Sequence, residues 1–174
     1  MNPLSDFFYP DLYVSSVYAI PYKRLREKNI GVLLFDVDNT LKPHYQKEPP
    51  ENLKNFFSRL EKMGFTVCLV SNAPKKRVAP FAGDLGVKWV CWAKKPLLMG
   101  VNKAKRLCRA ADNAAIIGDQ IFTDVLAGKR GKLYTILVKP ISKKESVNIS
   151  IKRFPERLIL RAYKKYRRQS LERF

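Results

Sequence analysis

Asp36-Val37-Asp38-Asn39-Thr40 follows directly on the apolar run Val32 to Phe35, and the same placement recurs three times. Ser71-Asn72 comes after Phe65 to Val70, Lys94-Lys95-Pro96 after Val87 to Cys91, and Gly118-Asp119 after Ala114 to Ile117, with Asp124 five positions beyond Asp119. Any one of these aspartates alone reads as a turn residue or helix cap, where Asp is common. As an ordered set behind successive apolar runs they point instead to one polar crevice. Three carboxylate positions meeting there repel one another unless a cation sits among them. An all-oxygen set without histidine suits a hard cation, and Mg²⁺, which keeps places for water and phosphate, is the expected cofactor. Asp36, one residue past a buried strand, is placed to attack phosphorus as a carboxylate nucleophile. Asp38, on the same side of an extended segment, is placed to protonate the leaving oxygen and then to activate water. Lys95, Ser71 and nearby backbone N–H groups would hold the phosphoryl oxygens.

The elements that position these residues are legible as an alternation. The apolar runs Val32 to Phe35, Phe65 to Val70, Val87 to Cys91, Ala114 to Ile117 and Tyr134 to Val138 read as strands, and Glu51 to Lys62, Lys75 to Gly83, Leu97 to Ala111 and Thr123 to Lys129 as helices between them. Strand, helix, strand, repeated, predicts an α/β fold: a three-layer sandwich with a central parallel sheet wrapped on both faces. In such a sheet the ligand crevice lies beyond the C-terminal strand ends, where all four polar clusters fall. Pro49-Pro50 precedes the first of these helices, and Gly64, Gly86 and Gly131 fall where helices end. The segment before the first strand, Phe7 to Lys28, reads as one or two short helices broken at Pro21.

At 174 residues and 46% apolar composition the chain suits one domain with a real core, divided into a helical segment over 1–30, a catalytic core over 31–140 and a basic amphipathic helix over 152–170. No fixed-period repeat argues for a solenoid. Thirty-four Lys and Arg against 15 Asp and Glu leave a formal charge of +19, which attracts polyanions such as nucleic acid or an anionic membrane surface. Cys68, Cys91 and Cys108 form no CxxC pair and His44 is the single histidine, which excludes the usual zinc clusters and counts against Ser-His-Asp or Cys-His catalysis. A reducing, cytoplasmic setting is expected, since the N-terminus lacks a secretory pattern and no window is long and apolar enough to span a bilayer.

The four clusters, now taken as Asp36-Val37-Asp38-Asn39-Thr40-Leu41, Val70-Ser71-Asn72, Lys95-Pro96 and Gly118-Asp119-Gln120-Ile121-Phe122-Thr123-Asp124, resemble the four motifs of the haloacid dehalogenase (HAD) superfamily. The resemblance implies a HAD-like fold and a Mg²⁺-dependent reaction through an aspartyl-phosphate. In it Asp36 is the nucleophile and a metal ligand, and Asp38 is the general acid and base, lending its backbone carbonyl to the metal. Thr40 supports the motif turn. Ser71, Asn72 and Lys95 belong to the phosphate-binding group, Asp119 is an acidic metal ligand and Asp124 is a further ligand or its support. A second aspartate two residues after the nucleophile is the phosphatase pattern, which sets dehalogenase chemistry aside. The order of the flanking segments, with Tyr134 to Val138 and the tail from Arg153-Phe154, further resembles the YqeG subgroup of subfamily IIIA. That group is similar to mitochondrial phosphatidylglycerophosphatases, which implies a phosphatidylglycerophosphate substrate.

HAD-type enzymes often enclose small substrates under an inserted cap, but the stretches from Thr40 to Glu51 and from Asn72 to Lys95 leave no room for one. An uncovered crevice suits a phosphate presented on a protein, a nucleic-acid end or a membrane. The tail from Phe154 to Arg168, opening with Pro155, is read as a helix with Leu158, Ile159, Ala162, Tyr163 and Tyr166 on one arc and Arg157, Arg161, Lys164, Lys165 and Arg168 on the other. Such a helix is either docked with a solvated charged face or turned to the anionic lipid of an inner membrane face, where Phe7-Phe8-Tyr9 would assist. The basic groups Lys75-Lys76-Arg77, Lys94-Lys95, Lys103-Lys105-Arg106 and Lys129-Arg130-Lys132 are either solubilising surface or a lure for phosphate. Trp89 and Trp92 read as packing residues, a place at the crevice rim being the alternative for Trp92, and His44, in the loop after the first motif, could touch substrate. Two other readings compete: a phosphatase for protein or nucleic-acid ends, and a non-catalytic RNA- or ribosome-binding protein on the same scaffold.

Overall fold

Val32-Leu33-Leu34-Phe35 is apolar at every position because it lies at the centre of the sheet, with layers on both sides. In the computed structural model, which describes residues 7–109, 113–142 and 155–166, six strands form one sheet: β1 (Leu12–Val14), β2 (Val32–Phe35), β3 (Thr66–Val70), β4 (Lys88–Val90), β5 (Ala114–Gly118) and β6 (Tyr134–Val138). Their order is β1-β6-β5-β2-β3-β4 and every neighbouring pair is parallel. The chain leaves β2 toward one edge and returns through β5 toward the other, so the switch in winding falls between β2 and β5. Phe35 pairs in register with both Leu69 and Ile117. Asp36, Ser71 and Asp119 therefore emerge together at one end of the sheet.

Alternate residues of the strands feed two cores. Leu33, Phe35, Leu69 and Ile117 pack under the helices α1 (Tyr22–Glu27), α2 (Glu51–Lys62) and α3 (Lys75–Leu85), with the Phe35 and Phe57 rings 5.3 Å apart. Leu34, Cys68, Val70 and Ile116 face α4 (Leu98–Leu107) and α5 (Leu126–Arg130). Full burial of such side chains contributes about 1.5–3 kcal/mol each. The three cysteines are free thiols. Gly86 ends α3 in the left-handed region, at φ 69°, where a side chain would be strained.

The segment expected to be purely helical contains a strand. Leu12–Val14 lies parallel beside β6 at the sheet edge, followed by a 3₁₀ turn at Val17–Ala19 and then, after Pro21, by α1. Three residues carry no periodicity, and what fixes them comes from far along the chain. The Asp11 carboxylate accepts hydrogen bonds from the backbone N–H and hydroxyl of Thr135, both at 2.7 Å, and pairs with Lys129 at 2.6 Å. The helix expected from Thr123 starts earlier, as a π-helical turn over Ile121–Val125 that runs into α5.

The tail helix, α6, is described over residues 155–166; Phe154 and Arg168 lie outside the described residues. Its inward arc differs from the expected one: Glu156 and Tyr163 are buried and Ile159 and Leu160 half-buried, whereas Leu158, Ala162 and Tyr166 face outward. Ile159 and Leu160 pack with Phe8 and Tyr13 against Ile121, Val125 and Leu137. The Tyr9 ring meets those of Tyr163 and Tyr166 at 5.5 and 5.7 Å, so Tyr9 is engaged with α6, while Phe7 is exposed.

Candidate active site

The three carboxylates expected to converge do so. Asp36, Asp119 and Asp124 are all buried and offer oxygens that lie within 4.8 Å of one another. Asp36 continues β2, its N–H donating to the Ile117 carbonyl at 2.8 Å. Asp119 follows β5, and the Thr40 hydroxyl is 3.4 Å from its Oδ1. Asp124 returns through the π-helical turn, where its Oδ2 accepts the Gln120 N–H at 3.2 Å. It fits because residue 118 is glycine: a Cβ there would lie 2.1 Å from Asp124 Cγ.

Lys95 stands between two of these carboxylates, its Nζ 2.7 Å from Asp36 Oδ1 and 2.6 Å from Asp124 Oδ1. Burial pushes the Asp36 carboxyl up to about 7 against the pull of Lys95, with Asp124 and Asp38 adding to the rise. Burial also disfavours the Lys95 ammonium, but the Asp124 and Asp36 carboxylates outweigh it and hold the lysine above its ordinary value. Among the described residues, three buried carboxylates gather around the Lys95 ammonium. This set fits a hard divalent cation held by Asp36, Asp119 and Asp124.

The loop carrying Lys95 is held from both sides. Trp92 and Lys94 adopt left-handed φ values of 46° and 54°. The Ala93 N–H donates to the Ser71 carbonyl at 3.0 Å, and Gly100 of α4 lets that helix approach so closely that a Cβ would lie 2.4 Å from Ala93 Cα. Asn72 clamps the loop through both ends of its amide: Oδ1 accepts the Lys95 N–H at 2.8 Å and Nδ2 donates to the Lys95 carbonyl at 3.1 Å. The Asn72 side chain thus positions Lys95, and Asn72 also lines the cavity over these groups. Ser71 is buried, its hydroxyl accepting the Ala73 N–H at 3.1 Å.

Asp38 is separate from the carboxylate cluster, so of the four expected ligand residues it has only its backbone carbonyl to offer a metal. Its side chain pairs with Arg77 at 2.7 Å and Lys42 at 3.0 Å, and His44 Nδ1 lies 3.6 Å away. Arg77, read from the sequence as part of a basic run, and His44, read from its place in the loop after the first motif, both line the site. The cavity over these groups, about 310 Å³, is lined by Asp36, Asp38, Ser71, Lys95, Gln120 and Thr123 among others. It has room for a phosphoryl group beside the Asp36 carboxylate, with Asp38 also in its lining. Trp89 packs against the core, and Trp92 is exposed beside the Lys95 loop.

One residue that supports the site has no signature in the motifs. Glu156 of α6 is 3% exposed, and its Oε1 accepts the N–H groups of Ile121 at 2.7 Å and Phe122 at 3.3 Å, at the start of the turn that carries Asp124. Phe8 stacks edge-on to Phe122, 5.7 Å between centroids, from the other side. Glu156→Ala leaves those donors buried without their acceptor and is expected to cost about 1–3 kcal/mol of unfolding free energy. Urea denaturation measures it, with Glu156→Gln losing less.

The HAD-hydrolase-like family model matches residues 93–148. The Bacillus subtilis protein named "Probable phosphatase YqeG" is 34% identical over 163 residues, covering 93% of this chain and 95% of that one. The chloroplastic/mitochondrial phosphatidylglycerophosphate phosphatase 1 of Arabidopsis thaliana is 24% identical over 177 residues, covering 96% of this chain but only 50% of the plant protein. Among solved structures, the 3-deoxy-D-manno-octulosonate 8-phosphate phosphatase of Moraxella catarrhalis, crystallised with magnesium, phosphate and KDO, superposes with a TM-score of 0.50 at 15% identity, over 68% of this chain and 81% of that one. Sequence identity along nearly the whole chain, joined to the shared fold and to four motifs gathered at one sheet end, shows that this protein belongs to the HAD-type phosphatases, in the group of YqeG.

Proposed function

We propose that this phosphatase is Mg²⁺-dependent, works through an aspartyl-phosphate on Asp36, and acts on phosphatidylglycerophosphate at a membrane surface. The observation that carries the reading is the buried Asp36-Lys95-Asp124 contact set beside Asp119, with Asp38 at the cavity mouth. A magnesium ion on Asp36, Asp119 and Asp124 would offset their charge and that of a phosphoryl oxygen. Lys95 and the Ser71 hydroxyl orient the phosphoryl group. An Asp36 oxygen forms the new bond to phosphorus as the bond to the leaving oxygen breaks, and Asp38 delivers its proton to that oxygen. Asp38 then takes a proton from water, whose oxygen attacks phosphorus and releases inorganic phosphate, restoring Asp36. Arg77 and Lys42 hold the Asp38 carboxylate in place for both transfers.

Three features support a lipid substrate. The Arabidopsis relative is named for phosphatidylglycerophosphate. The strand-end cavity is open, as a bulky substrate requires. The outward face of α6 carries Arg157, Arg161, Lys164 and Lys165 beside the exposed Leu158, with Phe7 exposed nearby in the chain's N-terminal segment, a composition suited to anionic lipid headgroups. Among the described residues no helix is long and apolar enough to cross a membrane, so contact would be peripheral.

The test is phosphate release from phosphatidylglycerophosphate in mixed micelles, with a terminally phosphorylated oligonucleotide in parallel. The lipid is expected to be cleaved, EDTA to stop the reaction and excess Mg²⁺ to restore it. Cleavage of the oligonucleotide alone would overturn the lipid substrate, and indifference to chelation would overturn the metal.

A further inference from the structure

Beside the cavity over Asp36 lies a second, larger one of about 660 Å³. The two share His44 and Arg77 in their linings, so they adjoin at these side chains. The second cavity is one-sided in charge: Lys42, Lys47, Lys76 and Arg77 line it, and among the described residues no carboxylate does. Lys42 and Arg77 are turned to Asp38 on the side of the first cavity. Lys47 and Lys76 are exposed and take part in no ion pair among the described residues. Lys76 lies in the first turn of α3, a helix of 11 residues whose positive end adds to the field there.

We propose that this cavity is a subsite for a second anionic group of the substrate, of the phosphodiester kind, and that the enzyme thereby selects phosphomonoesters bearing another phosphate a few bonds away. The proposal rests on Asp36 being the phosphoryl acceptor. A solvated basic face explains the exposed lysines but not their arrangement around a concavity that adjoins the cavity over Asp36. General electrostatic steering would favour any anion alike, whereas a subsite separates a monoester with a neighbouring phosphodiester from one without. Both a glycerophospholipid headgroup and a nucleic-acid end supply that pair of anions.

The experiment uses the full-length enzyme with Mg²⁺ and three soluble substrates: glycerol 3-phosphate, deacylated phosphatidylglycerophosphate and a 5′-phosphorylated dinucleotide. The wild type is expected to favour a diester-bearing substrate over glycerol 3-phosphate by roughly tenfold or more in kcat/KM, mainly through KM. The better of the two identifies the source of the second anion. In Lys47→Ala/Lys76→Ala that preference should fall by about tenfold while glycerol 3-phosphate hydrolysis stays within about twofold. Equal wild-type efficiencies, or an equal fall on all substrates in the double variant, would overturn the subsite while leaving the phosphatase reading intact. No hydrolysis of any of the three would overturn both.

Discussion

Asp36→Asn is expected to lower kcat by a factor on the order of 10⁴ or more and to leave the fold in place. An amide cannot accept phosphorus as a carboxylate does, and Asn also removes one of the three negative charges of the carboxylate cluster. Shape is conserved and Lys95 keeps its 2.6 Å contact with Asp124, so no buried ammonium is left unpaired. The same substitution has a signed effect on stability. In the folded protein without metal the Asp36 carboxyl titrates at about 7, above its ordinary carboxylate range. Between those values the folded chain holds a proton that the unfolded chain has lost, so this group's contribution to stability falls as pH rises and is lowest above about 7. Asn does not titrate. Metal-free Asp36→Asn should therefore gain in melting temperature relative to metal-free wild type as pH is raised from about 4 to about 8. Stopped turnover with that gain is the expected pair of results. Activity above a tenth of wild type would remove Asp36 from the nucleophile role, and a pH-independent difference in melting temperature would reject the raised carboxyl.

The sheet centre and the motif residues are legible in the sequence because each is encoded locally. Val32–Phe35 and Glu51–Lys62 have the predicted bounds: one is a short run buried on both faces, the other opens after Pro49-Pro50 with Leu53, Phe56, Phe57 and Leu60 at helical spacing. What escapes is encoded at a distance. β1 is three residues whose strand partner lies more than a hundred positions later, anchored by Asp11 to Thr135 and Lys129. On a basic helix Glu156 reads as a surface charge, and only docking reveals it as the acceptor for Ile121 and Phe122. Its neighbours explain why the inward arc of α6 is read askew: Leu158 and Tyr166 have apolar bulk, but the arc that meets the domain is set by Glu156, Ile159, Leu160 and Tyr163. Asn72 and Arg77 follow the same logic, since an amide after a strand and an arginine in a basic run have many readings until Lys95 and Asp38 are found beside them.

Gly118→Ala tests whether backbone space, as much as charge, builds the carboxylate cluster. A methyl group at residue 118 would lie 2.1 Å from Asp124 Cγ and 2.2 Å from its Oδ2, distances that no packed structure tolerates. β5 is held on both sides by β2 and β6, so the backbone has little room to yield and the aspartate must move. Displacing Asp124 takes a carboxylate away from Lys95 and from the cluster with Asp36 and Asp119. Overpacking of this kind costs about 1–3 kcal/mol, and a misplacement of about 1 Å near reacting groups costs activity on the order of 10²-fold. Gly118→Ala is accordingly expected to lose about two orders of magnitude in kcat/KM and to need more Mg²⁺ for half-maximal rate. The double variant Gly118→Ala/Asp124→Gly separates the steric cause from a general weakening of β5. With the obstructing side chain gone, the double variant should be more stable than the sum of the two single losses, because the clash exists only when both side chains are present. Its activity should stay low, since the carboxylate is missing. Additive stabilities would place the damage in the strand, and wild-type turnover in Gly118→Ala would show that Asp124 works from another position.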